Sequence, residues 1–326
     1  MVGTLKTRCV YAEVVWMMNI LVTGSSGMLG LDVVMELCRH YHVFGLDHRN
    51  DSTQRIPIYR LNITERERVE EAITKVHPHV IVHTAAYTDV DGCEQNQELA
   101  FAVNSEATRY LAEASQAAGA QLIFLSSDYV FDGSKKEPYQ EDDRAKPRSV
   151  YGESKWKAEQ FLISHDINAL IIRTSWLFGA KGNNFFRSIL NQAAQSETLK
   201  VVDDQKGAPT YTKDLAHAIK ILIDRWQSGI RLNGCHVYHI ANSGSTTWYD
   251  AAKIILGKAG CRAKLSRISS KDLDRPAERP KNSVFDLSKV RREFRIELRT
   301  WEDALDDYWH ESLEKEWNLL THTRAN

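Results

Sequence analysis

Between residues 19 and 173 the chain alternates short runs of β-branched and aliphatic residues with longer stretches whose apolar positions recur every three or four residues. The short runs read as strands over Asn19–Thr23, His42–Leu46, Ile56–Leu61, Val80–Thr84, Gln121–Ser126 and Ala169–Arg173. The stretches between them, roughly Leu29–Arg39, Glu65–Lys75, Glu98–Ala118 and Ser149–His165, fit amphipathic helices. Strand and helix in alternation make βαβ units, so the pattern predicts an α/β fold with a doubly wound parallel sheet of the Rossmann-like kind. The regularity fades after about Trp176. Beyond it, helices at about Phe185–Gln195, Lys213–Trp226, Trp248–Ala259 and Trp301–Leu319 carry shorter β segments between them, which predicts a smaller C-terminal α/β lobe. The expected division gives residues 18–178 and about 207–245 to a nucleotide-binding domain, and about 179–206 and 246–326 to a substrate lobe. Residues 1–17 stand before the second methionine of the pair Met17-Met18 and read as a dispensable extension.

Composition excludes several classes. The 42 basic and 43 acidic residues leave a net charge of −1, with no long block of like charge to attract nucleic acid or an anionic membrane. No run of 18 apolar residues exists to span a bilayer, and the first residues lack the apolar core of a signal peptide. The five cysteines are odd in number and include no Cys-x-x-Cys, which suits a reducing cytoplasm; they read as small buried apolar residues. His77, His79 and His83 fall on or beside one strand, where successive side chains face opposite sides, so no metal site is predicted. Trp301, Trp309 and Trp317, eight apart, read as one helix face packed on a core.

The chemistry lies at the strand ends. Gly24, Gly27 and Gly30 follow the first strand and open the first helix with Met28 and Leu29, where a sharp turn lets a pyrophosphate reach free backbone amides. Asp47 closes the second strand, placed to hold an adenosine ribose hydroxyl as in NAD enzymes; Arg49, two residues on, suits the ribose phosphate of NADP. Small residues at Ala85 and Ala86, before Tyr87, would let a cofactor lie against the backbone. The fifth strand ends in Ser127 and Asp128, which point into the same cleft. On the helix that follows, Tyr151 and Lys155 are four residues apart and share a face. A phenol with a cation beside it is a proton donor whose pKa the cation can lower, and a serine hydroxyl can polarise a carbonyl next to it. Tyr249 and Lys253 have the same spacing but lie far from any predicted strand end.

The glycine turn, Ser127, Tyr151 and Lys155 resemble the extended short-chain dehydrogenase/reductases, which use such a triad with a nicotinamide cofactor. The segments Ala85–Asp91, Ser127–Gly133, Arg173–Gly179, Asp203–Thr210 and Arg279–Asp286 resemble one branch of that family, the dTDP-4-dehydrorhamnose reductases. The resemblance implies reduction of the 4-keto group of a nucleotide sugar, dTDP-4-dehydro-L-rhamnose, with NADPH or NADH. It implies that Tyr151 donates the proton, that Lys155 holds the nicotinamide ribose and that Ser127 polarises the keto oxygen. Asp128 and Trp176 would touch the sugar, and Asn62 with Ile63 would lie near the adenine. The branch usually has threonine at Ser127 and aspartate at Asn62. Some members bind magnesium through glutamates at a homodimer interface; Asp32 holds one such place without evident partners, so magnesium is not indicated, while a homodimer stays open. Epimerases and dehydratases of nucleotide sugars share the scaffold. The dehydratases carry an acidic residue where Tyr129 stands, which argues against them. The beta subunit of methionine adenosyltransferase also resembles this family, and a regulatory role of that kind is the rival that an intact Ser127, Tyr151 and Lys155 disfavours.

Overall fold

Seven parallel strands make the central sheet. Six are the predicted ones: β1 (Asn19–Thr23), β2 (His42–Asp47), β3 (Ile58–Arg60), β4 (Val80–His83), β5 (Gln121–Ser127) and β6 (Ala169–Thr174). The seventh, β7 (Cys235–His239), comes later in the chain, after the Thr212–Gln227 helix, and pairs with β6 in parallel. The order is β7-β6-β5-β4-β1-β2-β3, so the winding reverses between β1 and β4 and opens a crevice beyond their carboxyl ends. The structure, a computed structural model, describes residues 17–49, 56–229 and 233–322. The extension expected over residues 1–17 lies, but for Met17, outside the described residues.

Side-chain alternation explains why both faces of the sheet are covered. Ile20, Val22, Val80, Val82, Ile123, Leu125, Leu170 and Ile172 point to one face, where the Met28–Leu37 and Thr212–Gln227 helices pack. Leu21, Ile81, Leu122, Phe124 and Ile171 point to the other, against the Arg66–Val76, Ala107–Ala117 and Val150–Ser164 helices. A separate core gathers the Phe185–Ala193, Trp248–Lys258 and Trp301–Tyr308 helices with the parallel pair Thr198–Val202 and Lys264–Ile268. Trp301, Trp309 and Trp317 are all buried there. Cys93 is buried, but Cys38 is exposed beyond the end of the first helix, so the reading of every cysteine as buried fails there.

Two predicted helices are interrupted. The stretch expected as Glu98–Ala118 runs as Gln97–Phe101, a π turn over Ala102–Glu106, and Ala107–Ala117. The expected Trp301–Leu319 has a π turn at Trp309–Leu313. Such wide turns often mark functional positions. In the first, Asn104 accepts from Tyr87 N at 2.8 Å and donates to Tyr87 O at 3.0 Å and to Ser154 Oγ at 3.0 Å, fixing the loop after β4 to the helix of Tyr151.

A buried ion pair ties this helix to the sheet. Arg173 of β6 is bidentate to Glu159, with Nη2 2.7 Å and Nε 3.1 Å from the carboxylate oxygens. Glu159 also accepts from the Ser126 hydroxyl of β5, and Arg173 donates to Glu141 O at 3.1 Å. Removing one member of a buried pair strands the other charge. Arg173→Met is therefore expected to lower stability by about 3–5 kcal/mol in urea unfolding, more than a surface Arg→Met change.

Candidate active site

The glycine turn is built by close packing. Gly24 has φ +65, donates to Leu46 O at 2.8 Å, and lies so near Ala85 that a Cβ would come within 2.7 Å of its Cα. At Gly30 a Cβ would meet Gly24 O at 2.1 Å. The turn delivers the helix N-terminus at Gly27, Met28 and Leu29 without any side-chain cap or acidic residue in the first turn. The Gly27 amide is taken by Gly24 O at 2.8 Å, while the amides that follow it stand at the positive end of a helix dipole and suit a phosphate. Beside them Ser26 Oγ is buried with no hydrogen-bond partner among the described residues. These residues fit a dinucleotide.

Asp47 has a second task that the sequence did not show. One carboxylate oxygen accepts from Ser26 N and the other from Arg49 N, each at 2.9 Å, so the carboxylate braces the glycine turn. The Arg49 side chain is 63% exposed at the rim, with its Nε 3.9 Å from Asp47. Next to Asp47, at the end of the neighbouring β3, Asn62 is exposed and accepts from Thr64 N, while Ile63 is buried. Ala85, Ala86 and Tyr87 are half-buried along the loop that Asn104 holds.

The triad assembles at the end of β5. The Val150–Ser164 helix is capped by Ser149, which accepts from Gly152 N at 3.2 Å. It docks so tightly on the chain after β5 that a Cβ at Gly152 would come within 2.2 Å of Tyr129 O. That contact brings the Tyr151 phenol near the Ser127 hydroxyl, close enough for the hydroxyl to temper its titration. Ser127 also accepts from Tyr129 N at 3.2 Å and donates to Asp128 Oδ1 at 3.0 Å. The Tyr129 ring stands edge-on to Tyr151 with centroids 5.5 Å apart. Lys155, one turn further on, is buried with its Nζ 4.3 Å from the centre of the Phe124 ring. Tyr249 lies instead under Arg267 in the second lobe, with the guanidinium 4.4 Å from its ring centre.

Burial governs the protonation states. It pushes the Tyr151 phenol well above its ordinary range, and only the Ser127 hydroxyl opposes it; Asp128 adds to the rise. It draws Lys155 down to about 7, against the pull of Glu159. The spacing led to the expectation that Lys155 lowers Tyr151; burial raises the phenol instead. Asp128 is raised by burial to about 6, tempered by the Ser283 and Ser127 hydroxyls, and its Oδ2 has no hydrogen-bond partner among the described residues. His83 is lowered by burial to about 3, and its two ring nitrogens meet Thr23 and Thr108 hydroxyls at 2.7 and 3.0 Å.

Several contributors escaped the sequence reading. Thr174 is the register partner of Ser127, and its hydroxyl is also buried without a partner among the described residues. Arg279 forms a bidentate pair with Asp91 at 2.8 and 3.1 Å, closing the segment that carries Ser283 over Asp128. Their signal was present only as matched segments, since neither residue stands at a telling spacing. Asp32 accepts from Thr212 Oγ1 at 2.5 Å, and no cluster of three or more metal-ligating side chains occurs among the described residues. No described helix is long and apolar enough to cross a membrane.

An uncapped helix behind a glycine turn, opening at the switch point toward a Ser-Tyr-Lys set, defines a dinucleotide-dependent oxidoreductase of the extended short-chain type. Residues 18–313 match the family described as RmlD substrate binding domain, and the chain belongs to it. It is 39% identical to the dTDP-4-dehydrorhamnose reductase of Streptomyces griseus, over 88% of this chain and 91% of that one. It is 34% identical to the spore coat polysaccharide biosynthesis protein SpsK of Bacillus subtilis, over 90% and 98%. Among solved structures, the dTDP-4-dehydrorhamnose reductase of Bacillus anthracis in complex with NADP superposes with a TM-score of 0.82 at 34% identity, covering 91% of this chain and all of that one.

The Lys155 shift sets a stability dependence. Its pKa is about 7 when folded against an ordinary 10.5, so between those values the unfolded chain binds more protons and folding gains stability as pH rises. Urea unfolding at about pH 6 and about pH 9 should show Lys155→Met gaining on the wild type at the lower pH and losing that advantage at the higher.

Proposed function

We infer that this chain reduces the 4-keto group of dTDP-4-dehydro-L-rhamnose to give dTDP-L-rhamnose, with NADPH or NADH as reductant. The observation that carries the reading is the approach of the Tyr151 phenol to the Ser127 hydroxyl, one helical turn from a buried Lys155, in a chain of this family. The nicotinamide supplies hydride when bound. Tyr151 donates a proton to the keto oxygen, and Ser127 donates a hydrogen bond to the same atom as negative charge develops there. A phenol kept neutral by burial is in the correct state to give that proton.

Gly24 and Gly27 shape the turn through their own backbone hydrogen bonds, the amides of Met28, Leu29 and Gly30 would hold the pyrophosphate, and Ala85, Ala86 and Tyr87 would bound the nicotinamide side. Arg49 at the rim offers a cation to a ribose phosphate, which supports use of NADPH. Lys155 would hold the nicotinamide ribose, while Asp128 and Trp176 would receive the sugar. In this reading residues 18–178 and about 207–245 hold the cofactor, and about 179–206 and 246–326 form the substrate lobe. The enzyme would work in the cytoplasm, and a homodimer is tested by sedimentation.

The deciding assay mixes the protein with dTDP-4-dehydro-L-rhamnose and either NADPH or NADH and follows nicotinamide absorbance. Stoichiometric oxidation of the cofactor with formation of dTDP-L-rhamnose is expected; interconversion of sugars without net oxidation would point to an epimerase. Tyr151→Phe should lower kcat by roughly a hundred- to ten-thousand-fold with little change in NADPH affinity. Turnover near wild type in that variant would remove Tyr151 as the acid.

A further inference from the structure

Trp176 stands two residues beyond Thr174, the register partner of Ser127, so it rises from the sheet edge beside the proton-transfer site. Its φ is +48, a region that a bulky side chain occupies only when its surroundings compel it. The surroundings that do so are specific. Trp248 lies face to face with it, the ring centroids 3.4 Å apart and the planes 7° from parallel. Gly207 leaves room for the indole, since a Cβ there would come within 2.5 Å of Trp176 Cε2. Trp248 is itself held: its Nε1 donates to Gln205 Oε1 at 3.1 Å, and the Phe185 ring lies 4.3 Å away. It is the first residue of its helix, immediately after the Thr247 cap, so its side chain can change without loss of the cap.

We propose that Trp248 is a positioning residue for the nucleotide-sugar site, clamping the Trp176 indole in its left-handed backbone so that Trp176 meets the sugar in one orientation. The proposal rests on the reading of Trp176 as a sugar contact. Trp248 belongs to the second core and Trp176 to the end of β6, so the stack also links the two halves of the cleft at the point where substrate would enter between them. A stacked aromatic pair contributes enough beyond its buried area to shift an equilibrium by up to roughly tenfold. Without the stack, Trp176 has less reason to keep its strained backbone. The loss should then appear in substrate binding and spare the cofactor, whose predicted amides belong to the glycine turn after β1, which the stack does not touch.

The test compares Trp248→Ala, Trp248→Phe and Trp176→Ala with the wild type, measuring KM for dTDP-4-dehydro-L-rhamnose, KM for NADPH, kcat and Tm. Circular dichroism reports the stack directly, because parallel indoles give an exciton couplet. Trp248→Ala should raise the sugar KM by roughly tenfold and leave the NADPH KM within about twofold, with the couplet lost. Trp248→Phe, which keeps a flat ring against Trp176, should restore most of the sugar KM although the couplet stays absent. An unchanged sugar KM in Trp248→Ala, with a raised one in Trp176→Ala, would overturn the positioning role and leave the Trp176 contact standing. An unchanged sugar KM in Trp176→Ala would overturn both. Equal damage in the alanine and phenylalanine variants would make Trp248 a direct contact through its N–H, and a parallel fall in Tm, kcat and NADPH affinity would make it merely structural; either result refutes the proposal.

Discussion

The active cleft hangs on the buried pairing of Arg173 with Glu159. Arg173 stands on β6, Glu159 on the Val150–Ser164 helix, and the carboxylate also takes the Ser126 hydroxyl of β5. Two charges in a dry interior tolerate little error in distance, because each is costly without the other. The pair therefore fixes two strands and a helix against one another. Ser127 follows Ser126, Trp176 follows Arg173 by three residues, and Lys155 precedes Glu159 by one turn. Ser127, Lys155 and Trp176 each lie within four residues of one of these anchors, and Tyr151 lies two turns before Glu159 on the same helix.

The same burial sets the electrostatics. Desolvation raises Tyr151 and Asp128 and lowers Lys155, in each case toward the neutral form. The cleft thus holds a neutral phenol, a lysine near the midpoint of its titration at neutral pH and a carboxyl with one oxygen unpartnered among the described residues. Groups poised in this way respond strongly to any polar ligand, since a new hydrogen bond or charge acts in a medium that screens weakly. The unpartnered hydroxyls of Ser26 and Thr174 mark where such bonds are missing, one beside the glycine turn and one beside Ser127.

At the cofactor end the controlling constraint is steric. Gly24 lies on Ala85, Gly30 lies on Gly24, and Asp47 takes the Ser26 amide, so the turn is fixed from β2, β4 and its own helix. This explains why an acidic residue at the end of β2 serves the fold even before a ribose is considered. It also leaves Arg49 as the exposed charge at that rim. At the substrate end the constraint is the aromatic stack of Trp176 and Trp248, which joins the sheet to the second core.

The sequence by itself determined the six strands from β1 to β6, the glycine turn, the helix that carries Tyr151 and Lys155, and the burial of Trp301, Trp309 and Trp317. Each of these is written in residues near one another, through the two-residue period of a strand, the 3.6-residue period of a helix or the need for glycine in a tight turn. The tertiary structure alone decided the addition of β7, the π turn that aims Asn104 at Tyr87 and the brace made by Asp47. It also decided the direction of the Lys155 and Tyr151 shifts, where spacing suggested mutual tuning and burial prevailed. Local periodicity says which face a residue takes. Only packing between distant segments says what waits on that face, and charge states, strained backbones and stacked rings depend on the latter.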